Sequence, residues 1–322
     1  MDKGERERRA FNLIYDDSEY HSVCHSDSPD FLVRQFETSP VFGVEVTDAY
    51  ETEADARIEQ HPRYIAKLLD GARHMHKDDA QILPVVEVEV TDRDGNVKHT
   101  NMPAIIRPNP TTRMRAEILT RILRRKNERF SVYEESGVSH VNLVIMDHFA
   151  SALNDSDEYL VRDLLDSDLR AELRGTSFRE VYLVSLHRNG NSFYRPLRML
   201  LLMEQFQLFL GSLNSYKDAE VLQVLEVQDI VPLFVRTTCG ELGVRNAENE
   251  VGYIALLGNC GAFYKESRGT QILDFQDSVL PEIAPTPESP ISDAEFQEFK
   301  RHHAAFCASN EFKTAMMLSV QS

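Results

Sequence analysis

Between Phe42 and Thr47, the apolar residues Phe42, Val44 and Val46 alternate with Gly43, Glu45 and Thr47. This is the two-residue period of a β-strand, so Glu45 and Thr47 leave one face and the valines pack on the other. Upstream, Ser28-Pro29-Asp30-Phe31-Leu32-Val33 reads as a second strand that opens on a carboxylate. Each strand thus brings one acid to a sheet. Two carboxylates on adjacent strands can share one hard divalent cation through oxygen ligands. Such a cation can polarise a phosphodiester and generate hydroxide near neutral pH.

The surrounding pattern alternates between helix and strand. Residues 3–15 have the spacing of an amphipathic helix with Ala10, Leu13 and Ile14 inward. Asp16 to Ser28 is polar and turn-rich, and strands are expected over 30–36 and 41–47. Glu53 to Asp70 is helical in spacing, interrupted by Pro62 and ended by Gly71. Val85–Val90 and Val97–Ile106 flank a turn at Asp92 to Asn96 and predict a hairpin. Thr112 is placed to cap a long helix reaching about Glu128, with Met114, Ile118, Leu119, Ile122 and Leu123 as its apolar stripe. The apolar runs 141–146 and 181–186 predict strands, and 158–173 and 196–211 predict helices.

This order predicts an α/β fold, a mixed central sheet flanked by helices over residues 1–214, with a β-hairpin insertion at about 83–107. Residues 215–322 read as a C-terminal α+β region. Strands are expected at 221–235 and 251–257, a Gly-rich loop at 239–243 and a Pro-rich linker at 281–290. A terminal helix should run from Ser292 to Lys313, opened by a capping box between Ser292 and Glu295.

Pro29-Asp30 followed by Glu45-Val46-Thr47 resembles the PD-(D/E)XK nuclease superfamily, in which an Asp opens one strand and Glu (or Asp), any residue and Lys follow on the next. The resemblance covers about residues 1–210. It implies a restriction-endonuclease-like core, phosphodiester hydrolysis with Mg²⁺ (or Mn²⁺), and DNA or RNA as substrate, in a defence or mobile-element setting. It also implies Asp30 and Glu45 as metal ligands, with Glu7 on the first helix as a third carboxylate and Glu5 an equal candidate by position. Thr47 stands where the family's Lys usually sits, as in Glu-x-Thr branches of that superfamily. Its hydroxyl carries no charge and cannot stabilise charge near the attacking water, and a migrated lysine is one repair. Lys126 is the leading candidate and Lys67 another. Lys126 precedes the strand at 141–146, similar to the helix-then-strand order of those branches. The missing Lys leaves a catalytically inactive, nuclease-like interaction or regulatory protein as the alternative.

Charge qualifies the nucleic-acid expectation. The chain has 35 basic and 52 acidic residues, a net charge of −17, which argues against a protein that coats nucleic acid. Yet from Arg107 to Arg129 eight basic residues face only Glu117 and Glu128. Arg121, Arg124 and Arg125 are therefore candidate phosphate contacts, since guanidinium groups fork onto phosphate oxygens. A solvated helix face supported by Glu117–Arg121 is the plainer reading of the same residues. Only Phe130 and Tyr133 lie nearby, which offers no base-stacking platform. Residues 215–322 are the expected surface for a protein partner.

The most apolar stretch, Leu197 to Leu213, is interrupted by Arg198, Glu204 and Gln205, so no membrane span is expected. Met1 to Arg9 carries no apolar signal-peptide run, and four cysteines without Cys-x-x-Cys spacing fit a reducing cytoplasm. Three further strings are weaker. Val88-Glu89-Val90-Thr91-Asp92 echoes Val44 to Asp48, but it leads into the hairpin turn, where Glu87 and Glu89 suit an exposed face. Gly258-Asn259-Cys260-Gly261, with His140, His148 and His187 upstream, resembles the nucleophile loop of chymotrypsin-like cysteine proteases, although a buried structural cysteine fits it better. His74-Met75-His76 has metal-binding spacing but reads as an exposed loop.

Overall fold

Every residue of Val141–Asp147 is buried, and the principal sheet is built around this strand. A strand covered on both faces is a continuous apolar run rather than an alternating one. The computed structural model describes residues 3–61, 63–106, 111–148, 165–186, 192–216, 225–275, 279–286, 288 and 291–310. Six strands form the principal sheet: β1 (Ser22–His25), β2 (Phe31–Arg34), β3 (Val41–Ala49), β6 (Val141–Asp147), β7 (Val181–Leu186) and β8 (Ser192–Pro196), in that spatial order. The pairs β1–β2 and β2–β3 are antiparallel, β3–β6 and β6–β7 parallel, and β7–β8 antiparallel. The protein is thus a mixed α/β fold.

Helix α1 (Lys3–Phe11) covers one face. Its Ala10 and Phe11 pack with Phe31, Phe42, Val44, Val46, Val144 and Met146. The other face is covered by α5 (Thr112–Asn127), α7 (Ser167–Gly175) and α8 (Leu197–Ser215), which pack with Leu143, Ile145 and Leu183. Between β3 and β6 the chain makes an excursion through α2 (Glu53–Gln60), α3 (Tyr64–Leu69), α4 (Asp79–Ile82) and the hairpin β4–β5 (Val85–Thr91, Val97–Ile105). It then returns along α5 and α6 (Phe130–Glu134). A parallel pair requires such a crossover. In the excursion, a buried Asp79 accepts hydrogen bonds from Arg57 and from the Tyr64 hydroxyl, which fastens α2, α3 and α4 together.

The C-terminal region adds α9 (Ile230–Leu242), a four-stranded antiparallel sheet of β9 (Arg245–Asn249), β10 (Gly252–Leu257), β11 (Cys260–Lys265) and β12 (Gly269–Asp274), and α10 (Asp293–Asn310). Helix α8 is apolar nearly all round and lies between the two sheets. One apolar cluster runs from Leu143 and Leu183 through Phe206 and Phe209 to Phe234, Leu256 and Phe299. The Phe209 ring centroid lies 5.3 Å from that of Phe234 and 5.8 Å from that of Phe299.

Several expectations need correction. From Val227 the described part of 221–235 is helical, a 3-10 turn over Val227–Asp229 leading into α9 at Ile230. Its Val-rich run suggested a strand, but Pro232 sits in the first turn, where a helix tolerates proline. Thr237 and Thr238 then return their hydroxyls to the carbonyls of Leu233 and Phe234, both at 2.7 Å. The expected loop at 239–243 is the end of this helix, closed by Gly243 at φ 68°. Asp16 to Ser28 contains strand β1, whose short polar run gave no alternation to read. The cap of α5 is Thr111 rather than Thr112: its hydroxyl accepts from the Met114 amide at 3.2 Å. Helix α7 ends at Gly175, beyond the expected 173, while 158–164 lie outside the described residues. The capping box of α10 holds, with Glu295 accepting from the Ser292 amide at 2.8 Å. Residues 311–313 and part of 281–290 lie outside the described residues.

Candidate active site

Strand register sets the geometry of the two lead carboxylates. Phe31 pairs with Val44 across the antiparallel β2–β3 ladder, and the same register continued by one residue sets Asp30 opposite Glu45. Because residues directly opposite share a face, both acids leave the side away from the α1 core that holds Val44 and Val46. Asp30 Oδ2 accepts the Val46 amide at 2.8 Å, which locks the start of β2 to the middle of β3. Asp30 and Glu45 are only 6 % and 7 % exposed. Gly43 makes the approach possible: a Cβ there would lie 2.5 Å from Pro29 Cγ.

Lys126 comes to this spot from the last turn of α5. Its Nζ lies 2.5 Å from Glu45 Oε1. The helix's apolar stripe fixes it on the face of the sheet that Glu45 occupies, and its C-terminal end is tied down where Asn127 Oδ1 accepts the Thr176 hydroxyl at 2.8 Å. The second Glu45 oxygen, Oε2, is buried and has no hydrogen-bond partner of normal geometry among the described residues, although the Tyr133 hydroxyl interacts with this carboxylate. Tyr133 of α6 is buried against Glu45, and burial first, then the Glu45 charge, holds its phenol protonated well above the ordinary range. Thr47 follows Glu45 on the same strand face and is partly exposed.

The site has an excess of negative charge. Asp30's carboxyl is pushed up to about 6, by burial first and by the charge of Glu45 next, against the opposing pull of the Val46 amide. Glu7 adds to this push and Lys3 opposes it. Glu7 is buried rather than solvated, and its oxygens meet Lys3 Nζ at 2.9 Å and His25 Nε2 at 3.3 Å. It sits in the field of Asp30 with both oxygens engaged. Glu5 is exposed on the same helix. Lys67 is exposed on α3, and the lysine at Glu45 is Lys126. Tyr133, Lys3 and His25 carry no motif, and only the fold brings them to the site.

Among the described residues, no group of three or more His, Cys, Asp or Glu side chains is arranged to hold a metal ion. The fit to a divalent cation therefore rests on Asp30 and Glu45, an anionic pair with one orphaned oxygen. Mg²⁺ keeps several waters and is commonly held by one or two carboxylates plus substrate phosphate, so these are the two ligands the chain would offer it.

The basic face of α5 lies beside this site. Arg121, Arg124 and Arg125 are exposed and line one open groove with Thr120 and three acids, Glu117, Glu128 and Asp168. Arg124 pairs with Glu172 at 2.5 Å, whereas Arg121 and Arg125 have no ion-pair partner among the described residues. Glu117 pairs with Arg113 at 3.0 Å, not with Arg121 as expected. The preceding turn of the helix brings Arg113 closer to the Glu117 carboxylate. Arg107 lies outside the described residues.

The rival motifs separate clearly. Glu89 is exposed on the hairpin, unlike its counterpart Glu45. Cys260 is fully buried at the start of β11, and burial pushes its thiol up, so a reactive thiolate is disfavoured there. His187 lies outside the described residues. His74 is spent on the Leu83 carbonyl at 2.9 Å. No helix among the described residues is long and apolar enough to cross a membrane. No protein-family model matches the chain, and neither a curated protein nor a solved structure matches it at a significant level.

Proposed function

We propose that this chain is a metal-dependent nuclease of the cytoplasm that hydrolyses phosphodiester bonds in DNA or RNA, with Mg²⁺ (or Mn²⁺) held by Asp30 and Glu45. One observation carries the reading: Lys126 reaches Glu45 from a helix 81 residues downstream, at a spot where Asp30 already stands. This supplies the charge that Thr47 lacks, as the resemblance requires. The mixed sheet with helices on both faces supports it too.

When bound, the cation neutralises charge developing on the phosphate. The chain's own groups do the rest. Asp30 and Glu45 hold the cation, and the Val46 amide fixes the orientation of Asp30. Lys126 has three donors and gives one to Glu45, which leaves two for an attacking water or a phosphate oxygen. Tyr133 walls the carboxylates from bulk water. Glu7 tunes the charge at Asp30 from outside the ligand set. Arg121 and Arg125 hold the nucleic-acid backbone through its phosphates.

The test is cleavage of plasmid and single-stranded RNA by purified protein in Mg²⁺, in Mn²⁺ and in chelator. Metal-dependent cutting that Glu45→Gln abolishes is the expected result. Cutting that persists in excess chelator overturns it.

One observation favours a second reading, that of an inactive nuclease-like interaction or regulatory protein. The Lys126 ammonium already neutralises one oxygen of Glu45. In that case the contact is a structural clasp, and no substrate is cut in either metal.

A further inference from the structure

A second polar site lies at the N-terminal ends of β3, β6 and β7. It is an open cleft of about 510 Å³, and Arg179, Arg198 and Arg245 line it together with Ser139, Thr176 and the backbone of Gly258. Among the described residues, no acidic side chain lines it. In a chain with a net charge of −17, three guanidinium groups on one cleft is a local inversion of sign.

Arg198 gives the cleft its specificity. It opens α8 and is only 8 % exposed. Its Nη1 donates to the carbonyls of Phe178 and Arg179 at 2.6 and 3.3 Å; among the described residues its buried Nε has no partner and it makes no ion pair. Glu180 is the nearest buried acid. Its oxygens are taken by the amides of Val181 and Arg198, both at 2.8 Å, and of Met199 at 3.2 Å. Burial pushes Glu180 up to about 7, against the pull of the Val181 and Arg198 amides and of the Arg198 charge. Burial lowers Arg198; the charge of Glu180 opposes this, and the charge of Arg245 adds to it. A buried guanidinium held beside a second cation is costly unless an anion joins them. Arg245 begins β9, is exposed, and has no hydrogen bond or ion pair among the described residues. At the floor, Gly258 has φ 59°, and a Cβ there would lie 2.1 Å from the Arg179 carbonyl oxygen and 3.2 Å from Arg198 Nη1. Any side chain at 258 would fill the space in front of Arg198.

We infer that this cleft is a binding site for a phosphate monoester or diphosphate group, gripped by Arg198 and Arg245. Arginine forks match phosphate oxygens, and the Ser139 and Thr176 hydroxyls add neutral polar contacts. Asp30, Glu45 and Lys126 do not line the cleft.

The test is titration calorimetry on the full chain at low salt. Chelator is present, so Asp30 and Glu45 hold no cation and failure of the nuclease reading leaves the result untouched. Inorganic pyrophosphate is the first probe. AMP and an oligonucleotide with either a 5′-phosphate or a 5′-hydroxyl are the others. Saturable one-to-one binding of pyrophosphate is expected. Arg245→Gln should weaken it about tenfold or more, with a melting temperature that does not fall, because the exposed Arg245 side chain makes no hydrogen bond or ion pair among the described residues. Arg245→Lys should restore part of the loss, since it returns the charge without the fork. Tighter binding of AMP identifies a free small molecule, and a requirement for the 5′-phosphate identifies a strand end; either supports the site. No saturable binding of any probe overturns the inference. So does binding that Arg245→Gln leaves intact, or that is lost instead in Arg121→Gln/Arg125→Gln.

Discussion

Lys126 Nζ and Glu45 Oε1 lie 2.5 Å apart, one ending a helix and the other in the middle of a strand. Both side chains are largely buried, so the pair is neither a surface ion pair nor freely exchangeable. Glu45→Gln should abolish metal-dependent cleavage with the fold intact. Lys126→Met should reduce cleavage by about 10²–10³, the usual cost of losing one preorganised charge at a reaction centre. It should also lower stability by about 1–3 kcal/mol, because Glu45 is left buried without a partner. Steady-state cleavage rates and urea unfolding of both variants check this. Equal stability of Lys126→Met and wild type would contradict the buried pairing.

Asp30 makes stability depend on pH in an identifiable direction. Its folded value of about 6 exceeds the ordinary 3.8, because burial and the Glu45 charge disfavour the anion. The folded chain therefore binds this proton more tightly than the unfolded chain. The stabilisation is complete below about pH 3.8 and is lost as pH rises through about 6. Above that, Asp30→Asn should be more stable than wild type by about 2–3 kcal/mol, a gap that closes on acidification. Denaturant midpoints across this range measure it. Adding Mg²⁺ or Mn²⁺ at neutral pH should raise the wild-type midpoint but not that of Asp30→Asn.

The exposed face of α5 gives a prediction in salt. If Arg121 and Arg125 contact phosphates, Arg121→Gln/Arg125→Gln should weaken duplex DNA binding and reduce the log–log salt slope by about 0.9 per lost contact. Filter binding over a salt series reads the slope directly. An unchanged slope assigns this face to solvent alone.

Gly43 links backbone to chemistry. Gly43→Ala would press a methyl against Pro29, whose neighbour is Asp30. The cost should be about 1–3 kcal/mol, as for other overpacked sites. Metal-dependent stabilisation should fall with it, since the Asp30 turn must shift. A calorimetric melt with and without Mn²⁺ measures both effects.

Much of the sheet was legible because its strands keep their period. The alternation from Phe42 to Thr47 placed Glu45 and Thr47 on one face, and the continuous run at 141–146 marked a strand covered on both sides. Pro62 marked the break between α2 and α3. The misread elements have physical causes. β1 is short and polar, so it offers no period. The Val- and Thr-rich start of α9 favours a strand locally, and only its packing on β10 and its returned Thr hydroxyls make it a helix. At the site, the carboxylates were legible from strand register, and Lys126 from charge on a helix preceding a strand. Tyr133, Lys3 and His25 were not, because their proximity depends on how α1, α6 and β1 close around the sheet. The cleft of Arg198 and Arg245 joins residues from many distant segments and leaves no local trace.

Helix α8 has consequences for how the molecule comes apart. It shares one apolar cluster with Leu183 of β7, while its Phe206 and Phe209 rings meet Phe234 of α9 and Phe299 of α10, so neither sheet owns it. A chain ending after α8 would present Phe209 to water where Phe234 and Phe299 now cover it. Thermal unfolding should therefore proceed as one transition rather than two. Truncation before residue 230 should yield insoluble protein, and damage to the C-terminal sheet should be felt at Asp30 and Glu45 without any direct contact.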